Sequence, residues 1–290
     1  MPTIRGIYAP LATPFDHLGR LYGAKVRSSV ERLNRTRLAG YVVAGSAGEG
    51  PLLSSAEKVQ LWKAVREAAA DDKQLFAAIS CESVAEALEL AAAAADAGFH
   101  YLALTAPAAY RGSFAEPRRQ KLFFESVADR AQLPIVIHAI ADRLEVSTAV
   151  GLAAHPQIVG LWCAEGAANL RDEAAERAPA GFAVLSGSPE DLPQASARGC
   201  AGAILAAANA IPFHLLSIDE AIRTRETAAA DELSNRARPL FEALAELGPA
   251  GLKHAMDLRG AFGGAARLPL PPLDSESRRR IEQALADILN

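Results

Sequence analysis

The feature that most constrains the fold of this chain is a repeated alternation of short apolar runs with helix-length amphipathic segments. Each strand-plus-helix unit is roughly 25 to 30 residues long, and apolar runs of this kind are typical of parallel strands buried on both faces. The repeat predicts an α/β fold, a TIM (β/α)8 barrel over residues 1–210, with a C-terminal helical region packed on the barrel over residues 211–290. The predicted strands cover residues 6–15, 40–45, 75–80, 101–107, 134–140, 158–162, 182–188 and 201–208.

The sixth predicted strand, residues 158–162, contains a tryptophan whose direction bears on the site of such a barrel. Alternate side chains of a barrel strand point inward, and active sites lie at the C-terminal strand ends. This alternation directs Gly160, Trp162 and Ala164 inward, and Leu161 and Cys163 outward toward the helices. Trp162 is therefore predicted to face the site.

Composition narrows the class of ligand. The chain has 290 residues, half of them hydrophobic, which is enough for one large core. Its formal charge of -4 comes from interspersed acids and bases, so we expect neither nucleic acid nor a membrane surface as a partner, but a small molecule. Three scattered cysteines and the lack of an apolar run near the roughly 20 residues of a membrane span predict a cytoplasmic protein.

Two segments carry candidate site residues. The second strand runs into Ser46-Ala47-Gly48-Glu49-Gly50, whose glycines allow backbone amides to approach an anion; the alternative is a tight strand-to-helix turn. In the fifth strand, the alternation places His138 on one face with Val136 and Ile140. A lone histidine in a strand is more often structural than catalytic, but the barrel face favours a role in the site.

Several of these stretches together resemble the dihydrodipicolinate synthase and N-acetylneuraminate lyase family of pyruvate-handling aldolases. The similar stretches are residues 11–15, residues 45–49, and residues 202–204 with Asn209 and Pro212. The resemblance implies a cofactor-free enzyme that is a homo-oligomer, a tetramer or a dimer. It also implies that a small carboxylate or 2-oxo acid is bound by Ser46, Ala47, Gly48, Arg143, Trp162, Gly187 and Ile204.

The catalytic positions depart from the family pattern. Where the resemblance places the Schiff-base lysine, this chain has Trp162, and where it places a proton-relaying tyrosine, the chain has His138; Tyr110 partly replaces a second aromatic residue. Imine formation needs an uncharged primary amine, which indole does not supply. The six lysines lie in predicted helices or loops, away from the C-terminal strand ends: Lys25, Lys58, Lys63, Lys73, Lys121 and Lys253. The histidines show no metal-ligand spacing, so we expect no metal.

Two interpretations of function remain open on the sequence. In the first, the protein handles a small 2-oxo acid or other carboxylate by lyase-type chemistry without a Schiff-base lysine, with His138 and Tyr110 as catalytic residues. Authentic dihydrodipicolinate synthase activity is not expected. In the second, the protein is a catalytically inactive barrel that binds a small molecule or a partner.

Overall fold

The eight apolar runs form eight parallel strands that close into a barrel in chain order. The structure is a computed structural model, which describes residues 3–108, 117–140, 144–164 and 166–289. The barrel closes because the first strand pairs with both the second and the eighth. The predicted fold class is thereby confirmed. The strands are β1 (Gly6–Pro10), β2 (Gly40–Val43), β3 (Gln74–Ile79), β4 (Tyr101–Thr105), β5 (Ile135–Ala139), β6 (Ile158–Cys163), β7 (Ala183–Ser186) and β8 (Gly202–Ile204).

Most strands are shorter than their apolar runs. β1 ends at Pro10 although the run continues to residue 15, and β8 ends at Ile204, after which Ala206–Asn209 forms a 3-10 turn. The apolar residues beyond these strand ends are still buried, but by loop packing instead of strand pairing. An apolar run predicts which residues are buried, and the buried residues continue beyond the last backbone hydrogen bond between strands.

A helix follows each strand around the barrel, and two more complete the chain. Ser54 caps the second helix, where its hydroxyl accepts from the Glu57 amide at 3.2 Å and the Glu57 carboxylate accepts from the Ser54 amide at 2.9 Å. The helices are α1 (Gly23–Asn34), α2 (Ser55–Ala68), α3 (Val84–Asp96), α4 (Pro117–Ala128), α5 (Val146–Leu152), α6 (Ala168–Arg177), α7 (Leu192–Ala197), α8 (Pro212–Arg223), α9 (Thr227–Leu258) and α10 (Ser275–Leu289).

The alternation predicted for β6 is observed. Trp162 belongs to the cluster of apolar side chains inside the barrel, with Val136 and Ile204 among its members. Leu161 and Cys163 belong to the outer cluster between strands and helices. Burial raises the pKa of the Cys163 thiol to about 12, so this cysteine is a packing residue that stays protonated.

The C-terminal helices share the core of the barrel. Phe241 and Leu252 of α9 lie in the same apolar cluster as the outward faces of the strands. The division at residues 210 and 211 stays a prediction, and α8, which follows β8 as the eighth barrel helix, falls on its C-terminal side. Within the described ranges, no helix has the length and apolar character needed to cross a membrane.

Candidate functional site

A cavity of about 290 Å3 opens at the C-terminal ends of the strands, where barrel active sites lie. Its walls come from the ends of β1, β6 and β8, from segments that follow β2, β5, β7 and β8, and from α9. No side chain that the structure describes in this wall is ionisable; Ser46 supplies the hydroxyl and Trp162 the indole N–H. The wall residues are Pro10, Ser46, Ala47, Ile140, Trp162, Ala164, Gly187, Pro189, Ile204, Ala206, Ala207, Phe241, Leu244, Ala245, Gly248, Pro249 and Leu252.

The loop after β2 forms a short 3-10 turn, Ser46–Gly48, at the mouth of this cavity. Within the described chain, the amides of Ser46 and Ala47 donate to no backbone carbonyl. The buried Thr13 hydroxyl donates to the Gly48 carbonyl at 2.5 Å and anchors the turn to the segment after β1. Ser46 and Ala47 thus present two amides and a hydroxyl that are suited to a carboxylate.

Gly48 has a different place from the one predicted for it. It is not part of the cavity wall, and its amide already donates to the Gly45 carbonyl at 3.0 Å. A Cβ atom at this position would lie 2.5 Å from the Leu11 carbonyl oxygen. The glycine therefore permits close packing of the turn on the chain after β1, and its amide is not free for a ligand.

Trp162 and His138 form a stacked pair. They are register neighbours on β6 and β5, their ring centroids lie 3.7 Å apart, and their planes are inclined by 6°. Trp162 is 6% exposed and lines the cavity. Its Nε1 is buried and has no hydrogen-bond partner in the described residues.

His138 lies behind this indole and outside the cavity wall. Its Nδ1 is 3.3 Å from the Thr105 hydroxyl, and both residues line a separate cavity of about 20 Å3. Burial lowers the pKa of His138 to about 3, so the imidazole is neutral at pH 7. The near-neutral pKa of an ordinary histidine is lost, because burial removes the ring from water.

Gly187 and Ile204, which the resemblance assigns to carboxylate binding, both line the cavity. A Cβ atom at Gly187 would lie 2.6 Å from the Cys163 carbonyl oxygen and 3.0 Å from Trp162 Nε1. The missing side chain allows the end of β7 to approach β6 and the indole. Tyr110 and Arg143 lie outside the described residues.

The wall supplied by α9 is the part of the site that the sequence analysis missed. Phe241, Leu244 and Leu252 reach the cavity from a helix far along the chain, and the helix is interrupted there at Gly248, where φ is 57°. The Gly248-Pro249 pair is the sequence signal that marked this break, because proline and positive-φ glycine both interrupt helices.

Two lysines lie closer to the C-terminal strand ends than predicted. Lys58 Nζ is 3.4 Å from the Ser80 carbonyl, just after β3, and Lys253 Nζ is 2.5 Å from the carboxylate of Glu49, after β2. The helices that carry them pack over these strand ends, which brings their long side chains inward. Neither lysine is part of the cavity wall. In the described ranges, no three His, Cys, Asp or Glu side chains group as metal ligands.

The model of the dihydrodipicolinate synthetase family matches residues 3–288. The chain belongs to this family. It is 32% identical to the 4-hydroxy-tetrahydrodipicolinate synthase of Natronomonas pharaonis, over 99% of this chain and 98% of that protein. It is also 32% identical to 4-hydroxy-tetrahydrodipicolinate synthase 1 of Streptomyces coelicolor, over 96% of this chain and 92% of that protein.

Solved structures of the dihydrodipicolinate synthetase family share the fold. A dihydrodipicolinate synthase from Bacillus anthracis superposes with a TM-score of 0.92 at 26% identity, covering 99% of both chains. The N-acetylneuraminate lyase of Mycoplasma synoviae, 22% identical, has the same fold with a TM-score of 0.87, covering 99% of this chain and 98% of that one. The family is lyase-type, and the cavity occupies the barrel end at which its chemistry is expected.

Proposed function

We propose that this protein binds a small 2-oxo acid or related carboxylate in the cavity at the C-terminal barrel end, and that any lyase-type reaction there proceeds without a Schiff base. The observation that carries the proposal is that Trp162 lines the cavity at the position where the resemblance places the family's lysine. Indole has no primary amine, so it forms no imine with a ketone. The free amides of Ser46 and Ala47 support carboxylate binding at the mouth.

The remaining lysines give little support to an alternative imine. Lys253 is the lysine with the most buried side chain near the site, but its ammonium forms an ion pair with the Glu49 carboxylate and donates to the Ala265 carbonyl. Burial lowers the pKa of Lys253, while Glu49 opposes the shift. An amine held in this way is not free to attack a carbonyl carbon in the cavity.

His138 and Tyr110 remain the proposed proton-transfer residues, and Arg143 a proposed ligand of the substrate carboxylate. His138 starts neutral, so its first step in such a reaction is to accept a proton. His138 is not part of the described cavity wall, so proton transfer between its ring nitrogens and a bound acid requires a local rearrangement of that wall.

A catalytically inactive barrel that binds a small molecule or a partner is the second candidate. The observation that favours it is the neutral cavity wall together with the lowered pKa of His138. Both candidates include carboxylate binding, and turnover of a bound acid separates them. A homo-oligomer also stays a prediction, for which light scattering is the test; one relative, 22% identical, is described as a monomeric dihydrodipicolinate synthase variant.

The mechanism is tested by incubating the protein with pyruvate and sodium borohydride and measuring its intact mass. We expect no change, because no lysine is available to form a reducible imine. A stoichiometric adduct mapped to Lys253 or to any other lysine would overturn the proposal.

Carboxylate binding is tested by thermal unfolding with millimolar 2-oxo acids and neutral analogues of equal size. The acids should raise the melting temperature, as a ligand of the native state must. Ser46→Ala should weaken acid binding about 3- to 10-fold through loss of one hydrogen bond. Ser217→Ala, on the exposed side of α8, is the matched control and should bind as the parent does. Equal shifts from acids and neutral analogues would contradict an anion site.

A further inference from the structure

The two tryptophans of the chain differ in one respect that bears on the ligand. Trp62 Nε1 donates to the Val43 carbonyl at 3.3 Å, whereas Trp162 Nε1 is buried without an acceptor in the described residues. A buried donor without a partner costs about 1 to 3 kcal/mol, so Trp162 has a hydrogen bond to gain from an incoming acceptor. The residue beside the N–H is Gly187, which has no side chain to cover it.

The cavity wall restricts the rest of the ligand. Opposite the strand ends, α9 contributes Phe241, Leu244 and Leu252, and Ile140 adds another apolar side chain. A charged group placed against this surface would lose its hydration without gaining a partner, which is strongly unfavourable. The volume of about 290 Å3 lies at the lower limit for sites that hold drug-sized molecules, so the ligand is small.

From these contacts we infer that the ligand is a small monocarboxylate with an apolar chain and an acceptor oxygen on the carbon next to the carboxylate, and that Trp162 Nε1 donates to this oxygen. The inference rests on the proposed carboxylate site at Ser46 and Ala47, which holds the acid group. Trp162 then determines specificity: it selects acids that carry the second oxygen. The α9 wall selects an apolar chain over a second charge.

Isothermal titration calorimetry with three acids tests both parts of the inference. The acids are 4-methyl-2-oxopentanoate, 4-methylpentanoate, which lacks the second oxygen, and 2-oxoglutarate, which ends in a second carboxylate. The parent protein should bind the first acid about 3- to 10-fold more tightly than the second, the value of one hydrogen bond. It should bind 2-oxoglutarate at least about 10-fold more weakly than the first, because burial of an unpaired charge is costly.

Trp162→Phe keeps an aromatic ring over His138 but removes the N–H. It should bind 4-methyl-2-oxopentanoate and 4-methylpentanoate with nearly equal affinity. Trp62→Phe is the matched control, because it removes the other indole and should retain the discrimination of the parent. Discrimination that persists in Trp162→Phe, or that is lost in Trp62→Phe, would overturn the assignment of Trp162 as the donor.

A nuclear magnetic resonance measurement keeps the inference testable if Trp162→Phe does not fold. In the Trp62→Phe variant, a single indole N–H signal remains, and it belongs to Trp162. Titration with 4-methyl-2-oxopentanoate should move this signal downfield, and 4-methylpentanoate should not. If the acids bind but no such difference appears, the inference is wrong and the carboxylate site stands; if no carboxylate binds, both are wrong.

Discussion

Two buried regions at the same end of the barrel differ in whether their polar groups have partners. Around Glu49 and Lys253 every charge is paired: Lys253 Nζ lies 2.5 Å from the Glu49 carboxylate and donates to the Ala265 carbonyl at 2.9 Å. The second Glu49 oxygen accepts from the Arg267 amide at 2.6 Å, and the Arg267 guanidinium binds Glu57 through two hydrogen bonds. In the cavity, by contrast, the described wall is neutral and Trp162 Nε1 has no acceptor.

The difference indicates different roles. A buried charge that loses its partner is strongly destabilising, so the ionic region around Glu49 holds the C-terminal segment against the loop after β2. A single unsatisfied neutral donor costs much less and is tolerated where a ligand supplies the acceptor. The ionic region therefore holds the segments beside the site together, and the neutral region is where we propose that the ligand binds.

The largest effect is expected from a substitution that disrupts the ionic region. Lys253→Met leaves Glu49 buried without its partner and should lower the free energy of unfolding by about 3 to 5 kcal/mol. Chemical denaturation measures the loss. Arg177→Met, which breaks an exposed pair with Glu173, is the control and should lose less than about 1 kcal/mol. Equal losses of unfolding free energy in the two variants would contradict the special role of the ionic region. The double variant Glu49→Gln with Lys253→Met removes both charges and should recover part of the lost stability.

A charge introduced into the neutral region should have the next largest effect. Trp162→Lys replaces a packed indole by a smaller side chain with a buried ammonium and should lower the free energy of unfolding by about 2 to 4 kcal/mol. It should not restore pyruvate-dependent aldol activity, because His138 remains where the resemblance places a proton-relaying tyrosine. Robust activity in this single variant would show that the remainder of the catalytic site is intact.

The third expected effect is a pH dependence that belongs to His138. Its folded pKa of about 3 lies below the value of about 6.5 in an unfolded chain, so the unfolded state binds a proton first as the pH falls. The contribution of His138 to the free energy of unfolding is complete above about pH 6.5 and decreases toward pH 3, by at most about 1.4 kcal/mol per pH unit.

His138→Asn should flatten this decline when the free energy of unfolding is followed from pH 7 to pH 4. Burial also lowers the pKa values of His100 and His214, so part of the slope remains in the variant. An unchanged slope would mean that His138 is reached by water in the folded protein. His138 would then have the near-neutral pKa of an exposed histidine, which suits an ordinary general acid or base.

Much of the fold was predictable because it depends on local pattern. The alternation within 158–163 correctly placed Trp162 inside the barrel and Cys163 outside, since strand periodicity is fixed by the backbone. The capping box at the start of α2 is local in the same way, because it is confined to the four residues 54–57. The strand ends were overestimated, because apolar character reports burial and not pairing.

The sequence by itself determined the barrel, the identity of the residue at position 162 and the absence there of a primary amine. Only the tertiary structure decided that the amide of Gly48 is already bonded, that Lys253 pairs with Glu49, and that α9 covers the cavity. It also decided that His138 is neutral, because a pKa depends on solvation and neighbouring charges. These features arise from contacts between residues distant in the chain, and no local pattern specifies which distant residues meet.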